Sequence, residues 1–286
     1  MNIKVYQLNS FALVSGGGNP AAVVLDADFM TEEKMQETAK RIGLSETAFV
    51  MSSSKADYRI RYFTPLAEVG LCGHATIAVF SLLRELQLIS EGDYTFETAR
   101  DILAVKVSEK DVLMDMQKEE FYEYIEASEV ADTLNISVDL LMPEPLPQVV
   151  STGLKDLIIP VKSKAVLDAI QPDFRKIEML SELHGIEGYH LFALDEEVTA
   201  YTRNFAPLLG IQEESATGTA SGALAAYLHH HGLLSDNSQQ NIIFMQGESM
   251  SRPSLIRVFM STSCEGIQKI QVGGGIMDIT SDILEL

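Results

Sequence analysis

The sequence predicts an α+β fold of two similar domains, and three observations carry that prediction. The chain has 286 residues, more than one average domain and close to two. One pattern occurs twice, at Phe63–Phe80 and at Phe205–Tyr227: a Phe-x-Pro and a Gly lead into x-Gly-x-Ala, and a run of small and apolar residues follows. Around each copy, apolar stretches of strand length alternate with helical ones in the same order, as in a duplicated architecture.

The first half reads as follows. Residues 3–8 alternate like a strand, Ser15-Gly-Gly-Gly-Asn-Pro20 forms a loop, and Ala21–Leu25 a buried strand. The triple glycine lacks the Gly-Lys-Ser/Thr ending of a phosphate loop. Thr31 can cap a helix running to about Arg41, with Glu32 and Glu33 in its first turn and Gly43 ending it. Leu44–Val50 enters a strand with a carboxylate, Glu46, at its mouth. Residues 57–63 alternate as the strand that delivers the glycine turn at 70–73, and a helix over about 74–88 follows. Strand-like segments near 94–98, 102–107 and 111–116 close the half.

Residues 118–147 are acidic and then proline-rich, as in a crossing between domains. The second half retraces the first through Leu157–Val161, a helical region over 164–184, Tyr189–Ala193 and the repeated turn. Strand-like pieces at 241–246 and 255–260 follow, then Gly273-Gly-Gly275 and a short tail. We place the halves at 1–130, carrying Glu46 and His74 with the tail 274–286 added, and at 131–273, carrying Glu214 and Thr219. Phe192 follows Phe49 by 143 residues and Phe205 follows Phe63 by 142, so Glu46 corresponds to Tyr189 by the first spacing. His229-His-His231 precedes a glycine at a helix end, where polar residues cap; consecutive histidines diverge on a helix and make a poor metal site.

A helix start has up to four unpaired N–H groups and positive potential, and binds anions. Two such starts facing each other across a pseudo-twofold axis would form a carboxylate cleft with residues 72, 74, 217 and 219 on its rim. The net charge of −20 offers no basic footprint for nucleic acid or anionic membranes. A small anionic ligand therefore needs a local positive site. Two cysteines without Cys-x-x-Cys, no signal-peptide pattern and no long apolar run lead us to expect a cytoplasmic protein.

Together, Gly17-Gly-Asn19-Pro-Ala-Ala-Val23, Leu44-Ser45-Glu46-Thr-Ala-Phe49, Phe63-Thr-Pro-x5-Leu71-Cys72-Gly73-His74-Ala-Thr76, Ala216-Thr217-Gly218 and Gln246-Gly-x-x-Met-x-Arg-Pro-Ser254 resemble the phenazine-biosynthesis PhzF-like family over essentially the whole chain. The resemblance implies a diaminopimelate-epimerase-like duplication, each domain a mixed, barrel-like β-sheet around a central helix, with the active site in the cleft between domains and the chain a homodimer. It implies an isomerase that moves a proton on a small carboxylate without metal or organic cofactor. Glu46 would be the general acid/base, its pKa raised by an apolar cleft, with His74 and Glu214 as catalytic partners. Asn19, Ser45, Cys72, Gly73, Thr217, Gly218 and Thr219 would bind substrate, the amides near both glycines holding oxyanions.

Epimerases of the same fold that resemble diaminopimelate epimerase use two thiols; Cys72 stands at the first position but Thr217 where the second would be, and a hydroxyl is too weak an acid or base for that role. The family usually reads Glu-Asp-Pro-x-Thr-Gly-Ser before the second helix, whereas this chain reads Glu213-Glu-Ser-Ala-Thr-Gly-Thr219. The carboxylate moves by a methylene, the serine gains a methyl, and the loop loses a proline, so the substrate shape can differ. Alternatives are an amino-acid epimerase or racemase, or a small-molecule-binding protein without turnover.

Overall fold

The computed structural model describes residues 2–99, 101–234 and 242–285. Strands predominate over helices. The chain divides into two compact units, Met1–Asp115 with Gly273–Leu286, and Met116–Val272.

In the first unit, β1 (Asn2–Ser10) pairs antiparallel with β2 (Asn19–Val24) and with the C-terminal strand Ile276–Glu285. β2 runs parallel to β3 (Glu46–Met51), which pairs antiparallel with β4 (Tyr58–Phe63). β4 also pairs with the short β5 (Glu68–Val69) and, in parallel, with β6 (Gly92–Glu97); β7 (Ile102–Val107) and β8 (Val112–Asp115) extend the antiparallel run. Helix α1 (Glu32–Ile42) forms as its ends predict: the Thr31 hydroxyl accepts from the Lys34 amide, and Gly43 closes it at φ 71°. Its apolar stripe, Met35 and Ala39, packs on Ala22, Val24, Phe49 and Phe63, one face of the sheet. Helix α2 (Gly73–Glu85) is different in kind. Every residue from His74 to Leu83 is buried, and strands β1, β2, β3, β7 and β8 pack against it. A helix apolar on all sides has no solvent face and takes the centre of its unit.

The second unit contains β9 (Glu120–Tyr124), α3 (Ala127–Thr133), β10 (Gln148–Ser151), β11 (Lys155–Pro160), α4 (Lys164–Ala169), α5 (Phe174–His184), β12 (Gly188–Leu194), β13 (Ala200–Ala206), β14 (Ile211–Glu214), α6 (Gly218–His230), β15 (Ile242–Gln246), β16 (Ser254–Ser263) and β17 (Gly266–Gly274). β9, β10 and β11 pair antiparallel in turn, β11 and β12 run parallel, and β12 and β13 antiparallel. β13 also pairs with β14 and, in parallel, with β15, which continues to β16. Leu157, Ile159, Tyr189, Leu191 and Phe205 point outward into a core shared with α3, α4 and α5. Helix α6 is buried at every position from Gly218 to Leu228, with β10, β11, β12 and β16 against it.

Three elements depart from the sequence expectation. The acidic stretch contains β9 and α3 rather than a bare crossing, because Phe121 and Tyr122 lie in a strand that pairs with β10 and Val130 and Ala131 enter the core. The single helical region over 164–184 is two helices, interrupted at Gln171-Pro172-Asp173, where Asp173 accepts from the Arg175 and Lys176 amides to start the second. The C-terminal tail is a ten-residue strand on β1. In the histidine run, His230 stacks on Phe121 at 4.5 Å and His231 on Tyr227 at 4.4 Å, so these rings pack as aromatics.

The glycine loop before β2 is a built turn. Asp278 accepts from Asn9 Nδ2, Ser15 Oγ and the Gly16 amide. Gly18 sits at φ 79°, and a Cβ there would fall 2.6 Å from the Ser10 carbonyl, so neither the conformation nor the space admits another residue. That turn sets Asn19 at the head of β2.

Candidate functional site

The first unit gathers four of the expected residues around one imidazole. Glu46 opens β3 and His74 is the second residue of α2; Glu46 Oε2 and His74 Nε2 stand 3.2 Å apart, an ion-pair distance, although Oε2 makes no well-angled hydrogen bond. On the other ring nitrogen, His74 Nδ1 lies 3.2 Å from Asn19 Nδ2 and 3.4 Å from Cys72 Sγ. All four side chains are buried. Ser45 precedes them on the rim of the strand, and Gly73 begins the helix. Ser10 Oγ donates to the His74 carbonyl and Thr76 Oγ1 to that of Cys72, both at 2.7 Å, so hydroxyls from β1 and from within α2 brace this turn.

Burial pushes the Glu46 carboxyl up, but the charge and close contact of His74, with Ser45, push it further down, and the net result lies below the ordinary carboxylate range. Burial likewise pushes His74 down, and Cys72 and Glu46 outweigh it, holding the imidazole well above its ordinary value. Burial and the Glu46 charge raise the Cys72 thiol. At neutral pH the site is thus a Glu46 carboxylate, a His74 imidazolium and a neutral thiol. The raised Glu46 pKa expected from an apolar cleft is reversed, because a cation sits within contact of the carboxylate.

Glu46, Cys72 and His74 each offer a ligand atom, all within 4.8 Å of one another, a spacing that suits a metal ion as well as a proton relay. To ligate a metal, the imidazole and the thiol would each have to give up a proton.

The second unit places Glu214, Thr217, Gly218 and Thr219 at the start of α6. Thr217 Oγ1 donates to Glu214 Oε2 at 2.6 Å, closing the turn. Gln246, which opens the Gln246–Ser254 motif of the sequence but was given no role there, fixes the same turn: its Nε2 donates to the Glu214 carbonyl at 2.7 Å and lies 3.1 Å from Thr217 Oγ1, and its Oε1 accepts from the Thr217 amide at 3.1 Å. Thr219 is buried, and its carbonyl accepts from the Thr152 hydroxyl.

Both helix starts share one construction. Cys72 and Thr217, the residues before the first turn, are extended, neither caps its helix with its side chain, and neither first turn contains an acid. The first-turn amides and the helix dipole are therefore not neutralised by the helix's own residues, as an anion site requires.

Comparison with known proteins gives a family and a fold. The model of the PhzC-PhzF family, described as phenazine biosynthesis-like protein, matches residues 8–278. An uncharacterized isomerase of Clostridium acetobutylicum is 34% identical, covering 99% of this chain and 98% of its own, and one of Bacillus subtilis is 33% identical, covering 99% of both. The crystal structure of a phenazine biosynthesis protein of the PhzF family from Bacillus anthracis superposes with a TM-score of 0.92 at 30% identity over 100% of both chains. A hydroxyproline epimerase from Agrobacterium vitis shares the fold at a TM-score of 0.64 and 12% identity, covering 99% of this chain and 92% of its own.

Proposed function

Since this chain belongs to the phenazine biosynthesis-like PhzC-PhzF family and is an isomerase, we propose that it moves a proton between carbon atoms of a small carboxylate, with Glu46 as the general acid/base and neither metal nor organic cofactor. The observation that carries this reading is the buried Glu46–His74 pair at 3.2 Å beside an uncapped helix start. Glu46 is ionised and so can accept a proton. Once protonated it still faces the imidazolium, which favours the anion and drives the proton back out, the property a shuttle needs. The cost of this arrangement is a weak base, so the substrate C–H must be acidified by holding its carboxylate or enolate oxygens. The amides at Gly73 and His74, with the His74 cation, supply that at the first start, and Gly218 and Thr219 at the second. Asn19 orients the imidazole, and Glu214, held by Thr217, is a substrate contact.

A two-thiol racemase is disfavoured on two grounds. The Cys72 thiol is held protonated by burial and by Glu46, and the Thr217 hydroxyl is engaged with Glu214. The same reading carries a duplicated architecture and a homodimer, which sedimentation tests.

The test is incubation in D₂O with methylitaconate, trans-4-hydroxy-L-proline, L-proline and trans-2,3-dihydro-3-hydroxyanthranilate, scored by mass shift for wild type and Glu46→Gln. Carbon-bound deuterium in the wild type, reduced roughly 10²–10⁴-fold in the variant, is the expected result. Exchange undiminished in Glu46→Gln removes Glu46 from the mechanism, and binding without exchange by any compound favours a ligand-binding protein.

A further inference from the structure

The residues gathered around the His74 imidazole are also a set of metal ligands. Glu46, Cys72 and His74 each offer one ligand atom, and these atoms lie within 4.8 Å of one another. Among the described residues, no other His, Cys, Asp and Glu side chains form such a trio. An imidazole, a thiolate and a carboxylate together are the donor set of a zinc site with three protein ligands and a fourth position left open. The softness of the donors points the same way, since a thiolate beside an imidazole selects zinc over magnesium or calcium, which take oxygen ligands.

The separations fit that ion. Zinc bonds of about 2.0–2.1 Å to nitrogen, about 2.0–2.2 Å to oxygen and about 2.3 Å to sulfur put tetrahedral donors about 3.3–3.5 Å apart for N and O and about 3.5–3.6 Å for N and S. Here His74 Nε2 is 3.2 Å from Glu46 Oε2 and 3.8 Å from Cys72 Sγ. Sγ stands nearer Nδ1, at 3.4 Å, so closing on an ion at Nε2 takes a turn of the Cys72 side chain about its one torsion. The ring is already presented as a metal-bound histidine is. Nε2 faces the carboxylate, and the Asn19 side-chain amide lies 3.2 Å from Nδ1, where a ligating histidine has its orienting partner. Glu46 Oε2 has no well-angled hydrogen bond to give up. Glu46 and Cys72 are 8% and 7% exposed, so the trio is buried but not sealed. The start of α6 has no such donors. Thr217 and Thr219 stand in the places of Cys72 and His74, and the strand registers put Gly188, not Tyr189 as the Phe49–Phe192 spacing suggests, in the place of Glu46. In the first ladder Thr47 faces Phe63 and Ala21 faces Glu46; in the second Tyr189 faces Phe205 and Asp156 faces Gly188.

We propose that Glu46, Cys72 and His74 capture Zn²⁺ and that the bound ion inhibits the isomerase. The inhibition rests on the assignment of Glu46 above; the binding does not. Coordination occupies the carboxylate oxygen that would accept the substrate proton and the imidazole nitrogen beside it. As the ion binds, the proton on His74 Nε2 and the proton on Cys72 Sγ pass to water, three donor bonds to zinc form, and no electron changes hands. The ion then holds the carboxylate in place of a proton. A chelator reverses each of these steps.

The probe is Co²⁺, which takes the place of zinc in tetrahedral sites and absorbs light. Titrated into the purified protein, one equivalent should bring up a near-ultraviolet thiolate-to-cobalt band and the intense visible bands of a tetrahedral ion, and Zn²⁺ should remove both. Cys264, the other free cysteine, is exposed and serves as the control. Cys264→Ser should keep the thiolate band and Cys72→Ser should lose it, while Asn19→Ala should weaken binding roughly 10–100-fold. A band absent from the wild type, or one that survives in Cys72→Ser, overturns the site. X-ray absorption of the zinc-loaded wild type needs no variant: one sulfur at about 2.3 Å among nitrogen and oxygen at about 2.0–2.2 Å is expected, and a shell without sulfur overturns the site as well. With the exchanging compound from the panel, one equivalent of Zn²⁺ should suppress deuterium exchange and a chelator should restore it. Exchange unchanged or raised by zinc, with the cobalt spectrum intact, overturns the inhibition. Exchange undiminished in Glu46→Gln overturns the Glu46 assignment and leaves the cobalt spectrum of the wild type standing, so the two failures are told apart.

Discussion

The starts of α2 and α6 are the same device in backbone and differ in the side chains that face them. Both helices are thirteen residues long and buried on nearly all sides, and in both the carbonyl of the residue before the first turn accepts a hydroxyl four positions on, from Thr76 and Ser221, at 2.7 Å. What neighbouring residues bring to them differs. β3 delivers Glu46 to His74, making a charged pair, whereas β15 delivers the neutral amide of Gln246 to Thr217. The helix start fixes where an anion can be held, and the adjoining strand decides whether a proton can be moved there.

The sharpest way to break this comparison is to remove the charge from the first start. In Glu46→Gln we expect the largest activity loss of any single change, roughly 10²–10⁴-fold in exchange rate. The same change leaves His74 buried without its anion. Its pKa should fall, because only Cys72 then opposes desolvation. NMR of the ring nitrogens across pH should show the ring losing its second proton at lower pH in the variant than in the wild type. A neutral His74 in the wild type would remove the contrast between the two starts.

A second contrast sets His74 against His190, one held charged and one held neutral. His190 is pushed down to about 4 by burial, so the unfolded chain binds a proton at higher pH than the folded chain does, and stability is lost as pH falls from about 6.5 to about 4. For a fully buried group that shift corresponds to about 3 kcal/mol. His74 has the opposite sign: its contribution is full below about 6.5 and is lost as pH rises through its raised folded value. Urea unfolding across pH should therefore show His190→Gln flattening the acid limb and His74→Gln the alkaline limb. A His190→Gln variant that flattens the alkaline limb would refute the separation.

These contrasts also explain what the sequence made legible. Thr31 and Gly43 announced α1 because caps act locally, and the all-apolar runs after Gly73 and Gly218 announced central helices because no solvent face was left in them. Glu46 and His74 stood out as polar residues at the mouths of apolar elements. The C-terminal strand escaped because most of its residues are exposed and no buried stripe marks it. The pKa of Glu46 was out of reach because it depends on a residue 28 positions away whose distance only the fold sets.

The smallest expected effect lies at the start of α6 and separates positioning from chemistry. Thr217→Val removes the hydroxyl that donates to Glu214 Oε2 at 2.6 Å and lies 3.1 Å from Gln246 Nε2, while keeping the volume of the side chain. The hydrogen bond to a carboxylate contributes about 1–3 kcal/mol, partly recovered by solvent because Thr217 is only half-buried. We expect a lowered melting temperature and a KM raised several-fold, with kcat changed less than KM, because Glu214 loses its anchor but Glu46 and His74 are untouched. Thr217→Ser, which keeps the hydroxyl, should restore most of the binding. A kcat loss in Thr217→Val as large as that of Glu46→Gln would instead place Thr217 in the proton transfer itself and erase the distinction between a start that holds and a start that reacts.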